Sequence, residues 1–203
     1  MRGEEWQDKK MVQQNQFKRI GWNALWVIAL IIVFIPISGE SIWMGESLTL
    51  YAGGQQSLGD ALQSMDEVTW TKQYMPGYTT YIWLWEKIWG DGEWMVRLSN
   101  WPCLALLLIS VYFLPFSRWQ KGILLVTYTL HPFIWTHMDE AKPTMMLLCC
   151  AGIALHGFIM YFYGKGRIQN IGRFLLVVGV LVGVATHTLF ALTGVSLLFL
   201  WAW

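Results

Sequence analysis

The chain has 203 residues, of which 55% are hydrophobic and 13% are charged. Soluble domains are typically about 25% charged, so this composition excludes an ordinary soluble domain. The net charge of +1 argues against nucleic acid as a partner, because nucleic-acid-binding domains are usually strongly basic. The 14 Trp and 8 Tyr are of the residue types that favour the membrane–water boundary. We therefore predict an all-α fold, a polytopic bundle of transmembrane helices.

The first 19 residues are polar and carry five basic side chains, Arg2, Lys9, Lys10, Lys18 and Arg19. Basic segments next to a span stay on the cytoplasmic side, so residues 1–19 are predicted to be a cytoplasmic segment. Residues 20–203 then form the transmembrane module, which begins with a span over 22–38. This first span is expected to act as an uncleaved signal anchor. We therefore predict an integral membrane protein, located in the bacterial inner membrane or an equivalent membrane.

Residues 39–94 are predicted to form an outer loop that contains juxtamembrane helices. The sequence Ser57-Leu58-Gly59-Asp60 indicates a weak capping box that opens a short helix. The apolar stretch 78–90 is about 13 residues long, too short to cross a bilayer. Its apolar side chains recur on one side of a helix, at Tyr81, Leu84, Trp85, Ile88 and Trp89. This pattern predicts an amphipathic helix on the outer membrane surface, with Thr79, Thr80, Glu86 and Lys87 mostly on its other side.

The remaining spans are predicted at 95–116, 122–136, 144–163, 174–187 and 189–203. This order places the basic residues Arg118, Lys121, Lys165, Arg167 and Arg173 on the cytoplasmic side, as the positive-inside rule requires. A span at 78–90 would place them outside. One helix over 174–203 would be about 45 Å long, more than the ~30 Å hydrocarbon core, so a break is expected at Thr186-His187-Thr188. The apolar end at Trp203 favours the front part of a longer protein.

A short polar segment at residues 137–142 separates two apolar runs, and the topology places it on the extracytoplasmic face. It contains His137, Asp139, Glu140 and Lys142. A carboxylate can act as a general base, and a cation can offset the charge of a phosphate. The set His137, Asp139 and His187 could alternatively bind a divalent metal, although nothing fixes their spacing. The simplest alternative is a solvated loop tip.

Four motifs in order resemble a known family, the type C glycosyltransferases. They are Trp43-Met44-Gly45-Glu46, Met75-Pro76-Gly77-Tyr78, the stretch from Ile88 to Ser99 that contains Arg97, and His137 to Pro143. Thr186-His187-Thr188 follows in the last apolar run. The likeness is to the N-terminal module of protein O-mannosyltransferase and aminoarabinose transferase relatives (family 39-like). It covers about residues 20–200, less than half of a usual member.

The resemblance implies transfer of a sugar from a polyprenyl-phosphate donor at the extracytoplasmic face. It implies catalytic roles for Glu46 and Glu140, and binding of the donor phosphate by Arg97 and Lys142. The implied partners are the polyprenyl-phosphate-linked sugar and membrane lipid, with no certain cofactor. Gly45 stands where the family has its proposed base, an Asp. The alternative is therefore a non-catalytic membrane subunit that keeps this fold within a larger complex of membrane proteins.

Overall fold

The computed structural model describes residues 20–32, 34–35, 37, 44–68, 75–188 and 190–202. These residues are helical or lie in turns, and they contain no strand. The N-terminal segment 1–19 lies outside the described residues. In chain order the helices are α1 (Ile20–Ile32), α2 (Met44–Gly53), α3 (Leu58–Val68), α4 (Pro76–Trp89), α5 (Glu93–Leu98), α6 (Asn100–Phe113), α7 (Arg118–Leu130), α8 (Pro132–Met138), α9 (Pro143–Tyr163), α10 (Arg167–Thr186) and α11 (Phe190–Ala202).

Three helical segments of the described residues are long and apolar enough to cross a membrane. They are Glu93–Phe113, which joins α5 and α6, then α9, and then α10. A span needs about 20 residues. The α7 and α11 helices have 13 residues each, and α1 is a shorter apolar helix. The six predicted crossings therefore correspond to three segments of spanning length and to four shorter helices, α1, α7, α8 and α11.

The predicted span 122–136 is two helices in the structure. The α7 helix ends at Leu130, and α8 begins at Pro132. Proline lacks a backbone N–H and cannot continue a helix without breaking a hydrogen bond. His131 fills the gap as the N-cap of α8, where its Nδ1 accepts from the Phe133 N–H at 3.2 Å. The histidine side chain is exposed at this break between the two helices.

The α9 and α10 helices pack closely against each other over much of their length. Glycines make this approach possible, because a Cβ on Gly157 would collide with the backbone at Leu176, and one on Gly172 with the backbone at Tyr161. The α10 helix begins at Arg167, seven residues before the predicted start at 174. It ends at Thr186, where His187 turns to an extended conformation. The helix thus breaks at the position that its length predicts.

The largely apolar core between α6, α7 and α9 contains a hydrogen-bonded group of three side chains. His156 is 2% exposed, and its Nδ1 lies 2.6 Å from the Ser110 hydroxyl. Its Nε2 lies 3.2 Å from the Tyr128 hydroxyl. Buried polar groups require such partners. His156 is therefore a core histidine whose two ring nitrogens both have a hydroxyl partner.

The α2, α3 and α4 helices pack together beside this core. Ser57 caps the start of α3: the Asp60 N–H donates to the Ser57 hydroxyl at 3.2 Å, and that hydroxyl donates to the Asp60 carboxylate at 2.7 Å. The predicted helix over 78–90 is present as α4, but only part of its polar side is exposed: Lys87 is exposed, whereas Thr79 and Glu86 are buried. They pack inside the protein because α2 covers that side, and the Glu86 carboxyl lies against Gly53. The apolar residues Leu84, Ile88 and Trp89 remain exposed on the opposite side.

Candidate functional site

The site is a polar cluster built from α2, α5, the start of α6 and the segment 137–142. Its centre is Glu46, in the first turn of α2, which is 0% exposed. Arg97 in α5 donates to both carboxylate oxygens of Glu46, through Nε at 3.1 Å and Nη2 at 3.0 Å. The Ala141 N–H donates a third bond to Glu46 Oε1, at 2.8 Å. A buried charge is tolerated only with such pairing, so Glu46 and Arg97 depend on each other.

The segment 137–142 is held to the helices through its backbone. Asn100, the first residue of α6, donates from Nδ2 to the carbonyl oxygens of His137 at 3.0 Å, Met138 at 3.3 Å and Glu140 at 2.8 Å. The Thr49 hydroxyl in α2 donates to the Ala141 carbonyl at 2.8 Å. With the Ala141 N–H bound to Glu46, the segment is fixed by contacts from two separate helices, α2 and α6.

The side chains of this segment are partly exposed, in contrast to Glu46. Asp139 is 31% exposed, Lys142 25%, His137 19% and Glu140 14%. His137 Nδ1 lies 3.0 Å from Glu140 Oε2, and Lys142 Nζ lies 3.4 Å from the same oxygen. Asp139 Oδ1 lies 3.9 Å from Arg97 Nη1. The segment therefore presents two carboxylates at the surface, each next to a nitrogen donor.

Tyr78 of α4 adds a buried phenol near Glu46. Burial raises the pKa of Tyr78 above its ordinary value, and the negative charge of Glu46 acts in the same direction. The phenol is therefore neutral at physiological pH. The Thr49 hydroxyl lies close enough to the phenol to oppose this rise in its pKa. The cluster thus contains a buried phenol beside Thr49 and Glu46.

Four predicted site residues, Glu46, Arg97, Glu140 and Lys142, meet in this one cluster, although Glu46 and Ala141 are separated by 95 positions in sequence. His187 follows the C-terminal end of α10, where its N–H donates to the Gly183 carbonyl at 2.9 Å. The described residues contain no group of three or more His, Cys, Asp or Glu side chains placed to hold a metal ion. The proposed set of His137, Asp139 and His187 is therefore not assembled there.

Two functional contacts were missed by sequence reasoning, namely those of Asn100 and Thr49. Asn100 had a usable signal, since it is an amide at the entrance of an apolar run and such polar residues need a partner. Thr49 had none, because a threonine in an outer loop is ordinary. Trp43, the first residue of the Trp43-Met44-Gly45-Glu46 motif, lies outside the described residues.

Comparisons with protein families, with curated proteins and with solved structures found no match to this chain. The geometry of the cluster is therefore the basis for assigning a function. Its distinguishing feature is the contrast between a fully buried ion pair and the partly exposed carboxylates beside it.

Proposed function

We propose that this chain is a glycosyltransferase-like membrane protein that takes a sugar from a polyprenyl-phosphate donor at the extracytoplasmic face. One observation carries the proposal: Glu46 accepts hydrogen bonds from both Arg97 and the Ala141 N–H. These contacts join three motifs that are far apart in sequence and on which the family resemblance rests. Their convergence supports a shared site, whereas unrelated loop tips have no reason to meet.

The proposed reaction assigns different roles to buried and exposed groups. An acceptor hydroxyl oxygen attacks the sugar C1, the bond from C1 to the phosphate oxygen breaks, and the phosphate leaves with the electron pair. Glu140 takes the acceptor proton, because it is partly exposed and His137 orients it. Lys142 offsets the charge of the leaving phosphate. Glu46 and Arg97 position the segment, since their contacts with each other and with Ala141 occupy them in this conformation.

The test uses purified protein in liposomes with a radiolabelled polyprenyl-phosphate hexose, and measures the release of polyprenyl phosphate. Glu140→Gln keeps the shape of the side chain and removes its basicity, so the rate should fall about 10²–10⁴-fold, the usual contribution of a general base. Glu93→Gln is the matched control, because Glu93 is an exposed acid of α5 on the same chain. Equal rates for Glu140→Gln and the native protein would refute the assigned base.

A second function is favoured by Gly45, which stands where the resembled family has its proposed base. In this alternative the chain is a non-catalytic membrane subunit, and the Glu46–Arg97 pair serves only to hold the fold. Gly45→Asp separates the two proposals, because restoring the acid should preserve or raise turnover in an enzyme. Absence of both hydrolysis and transfer in the native protein and in Gly45→Asp would contradict the enzymatic proposal and favour the subunit.

A further inference from the structure

A groove of about 500 Å³ lies between α9, α10 and α11. Its walls are apolar side chains, among them Phe158, Val177, Val180, Leu181 and Leu197, and Arg173 and Tyr161 also line it. The volume lies within the range of about 300–1,000 Å³ typical of small-molecule sites. From Arg173 to Leu181 the groove follows α10 for about 12 Å. It therefore has the form of a channel for a hydrocarbon chain with one charged end.

Arg173 gives the groove its charge. The side chain is exposed, and its guanidinium lies 5.2 Å from the centre of the Tyr161 ring. No carboxylate in the described part of the chain pairs with it. The sequence from 141 to 203 contains no Asp or Glu at all. The negative charge that complements Arg173 is therefore expected to come from a ligand.

The surroundings of Arg173 strengthen this positive potential. Arg167 is the first residue of α10, and Lys165 lies two residues before it. The N-terminus of α10 carries no side-chain cap, so its first N–H groups and the positive end of the helix dipole favour an anion there. The predicted topology places this end on the cytoplasmic side, the leaflet in which anionic lipids concentrate.

We propose that this groove binds an acyl chain of an anionic phospholipid whose phosphate pairs with Arg173. A helix of a second protein fits the groove less well, because it would enclose Arg173 in an apolar interface without a counter-charge. A lipid phosphate supplies that charge at the membrane surface and leaves the chain in hydrocarbon. The α9 residues of the site, Phe158 and Tyr161, lie about 22–27 Å along the helix from the segment 137–142, so the site is independent of the proposed sugar transfer.

The test is native mass spectrometry of the purified chain titrated with phosphatidylglycerol or with phosphatidylcholine. The native protein should retain phosphatidylglycerol more tightly. Arg173→Gln should weaken that binding about five-fold, the usual effect of one basic side chain near anionic lipid. Arg118→Gln is the matched control, because Arg118 is also exposed and on the same predicted face but does not line the groove. It should change the binding less than two-fold.

A second pair of variants tests the hydrocarbon part of the site. Val177 lines the groove and is 55% exposed, so Val177→Trp should fill the groove and reduce retention of the lipid. Val184→Trp on the same helix is the control, because Val184 is 37% exposed and does not line the groove. Circular dichroism of each variant checks that the helices are intact.

Three results would overturn the proposal. The first is equal retention of the two lipids by the native protein. The second is equal weakening by Arg173→Gln and Arg118→Gln, which would indicate general surface charge. The third is displacement of the lipid by millimolar inorganic phosphate alone. Crosslinking of two copies of the chain by Val177→Cys would likewise contradict the proposal, because the groove would then hold a second copy.

Discussion

Two regions of α9 are held in place by opposite means. Before its first residue, the segment 137–142 is fixed by hydrogen bonds: Glu46 accepts one from the segment, and Asn100 and Thr49 donate to it. Along its length, α9 is fixed to α10 by close approach of backbones at Gly157 and Gly172. The polar end requires specific partner atoms, whereas the glycine contact requires the absence of atoms. Removal of one polar group should therefore destabilise the hydrogen-bonded segment, and addition of one methyl group should destabilise the glycine contact.

The largest effect is expected at the buried ion pair. Arg97→Met keeps most of the side-chain volume and removes the charge, so the buried Glu46 carboxylate loses its cationic partner and both hydrogen bonds from Arg97. Breaking a buried pair in this way costs about 3–5 kcal/mol. The free energy of unfolding in mixed micelles should fall by that amount. A change below about 1 kcal/mol would mean that water reaches Glu46 and that the pair is not buried.

A smaller loss is expected from one added methyl group in the glycine contact. In Gly157→Ala the new Cβ collides with the α10 backbone at Leu176, and overpacking of this kind costs about 1–3 kcal/mol. Gly122→Ala in α7 is the matched control, since its Cβ would meet only Trp22, at an ordinary 3.7 Å. Alanine favours the helix over glycine by up to about 1 kcal/mol, so the control should be neutral or stabilising. Destabilisation of both variants to the same degree would contradict the close α9–α10 contact.

Glu86 is a second buried acid, and it differs from Glu46 because it lacks the hydrogen-bond partners that Glu46 has. Both of its carboxylate oxygens lack a hydrogen-bond partner among the described residues. Burial raises the pKa of Glu86 from 4.5 to about 7; Asp91 adds to the rise and Lys87 opposes it. The folded state therefore binds more protons than the unfolded state between these two pH values. Stability should fall as the pH rises from about 4.5 to about 7, and level off above that.

The expected loss from Glu86 across this range is on the order of 1–2 kcal/mol. Glu86→Gln removes the titrating group, so its unfolding free energy should lose this part of the pH dependence. Glu93→Gln, at an exposed acid, should keep the native pH profile. The measurement is the unfolding free energy at pH 5 and pH 8 for the three proteins. A native profile in Glu86→Gln would show that Glu86 does not cause the pH dependence.

Sequence reasoning predicted helices from local signals and failed where tertiary contacts decide. The cap of α3 at Ser57 and the break after Thr186 depend on a few neighbouring residues and on helix length, and both are present. The polar side of α4 looked solvent-facing because periodicity does not reveal that α2 covers it. The early start of α10 at Arg167 was missed because polar residues open the helix before the apolar run.

In the candidate site too, sequence indicated the residue types, whereas tertiary contacts decided which residues pair. The residue types in the segment 137–142 and at Glu46 and Arg97 were singled out from sequence, because charges beside apolar runs need water or partners. Their pairing could not be read from the chain, since Arg97 lies 51 positions from Glu46 and Ala141 lies 95 positions away. Only the packing of α2 against α4 and α5 brings these groups within hydrogen-bond distance. Their roles in sugar transfer stay predictions.

The central claim is that Glu46 and Arg97 form one buried unit that holds the polar segment in place. A double-mutant cycle with Glu46→Gln, Arg97→Met and the double variant tests it most directly, with unfolding free energy as the readout. Direct contact predicts a coupling energy of about 1.5–3 kcal/mol, so that the double variant loses less stability than the sum of the single variants. Additive losses, within about 0.5 kcal/mol, would contradict the claim.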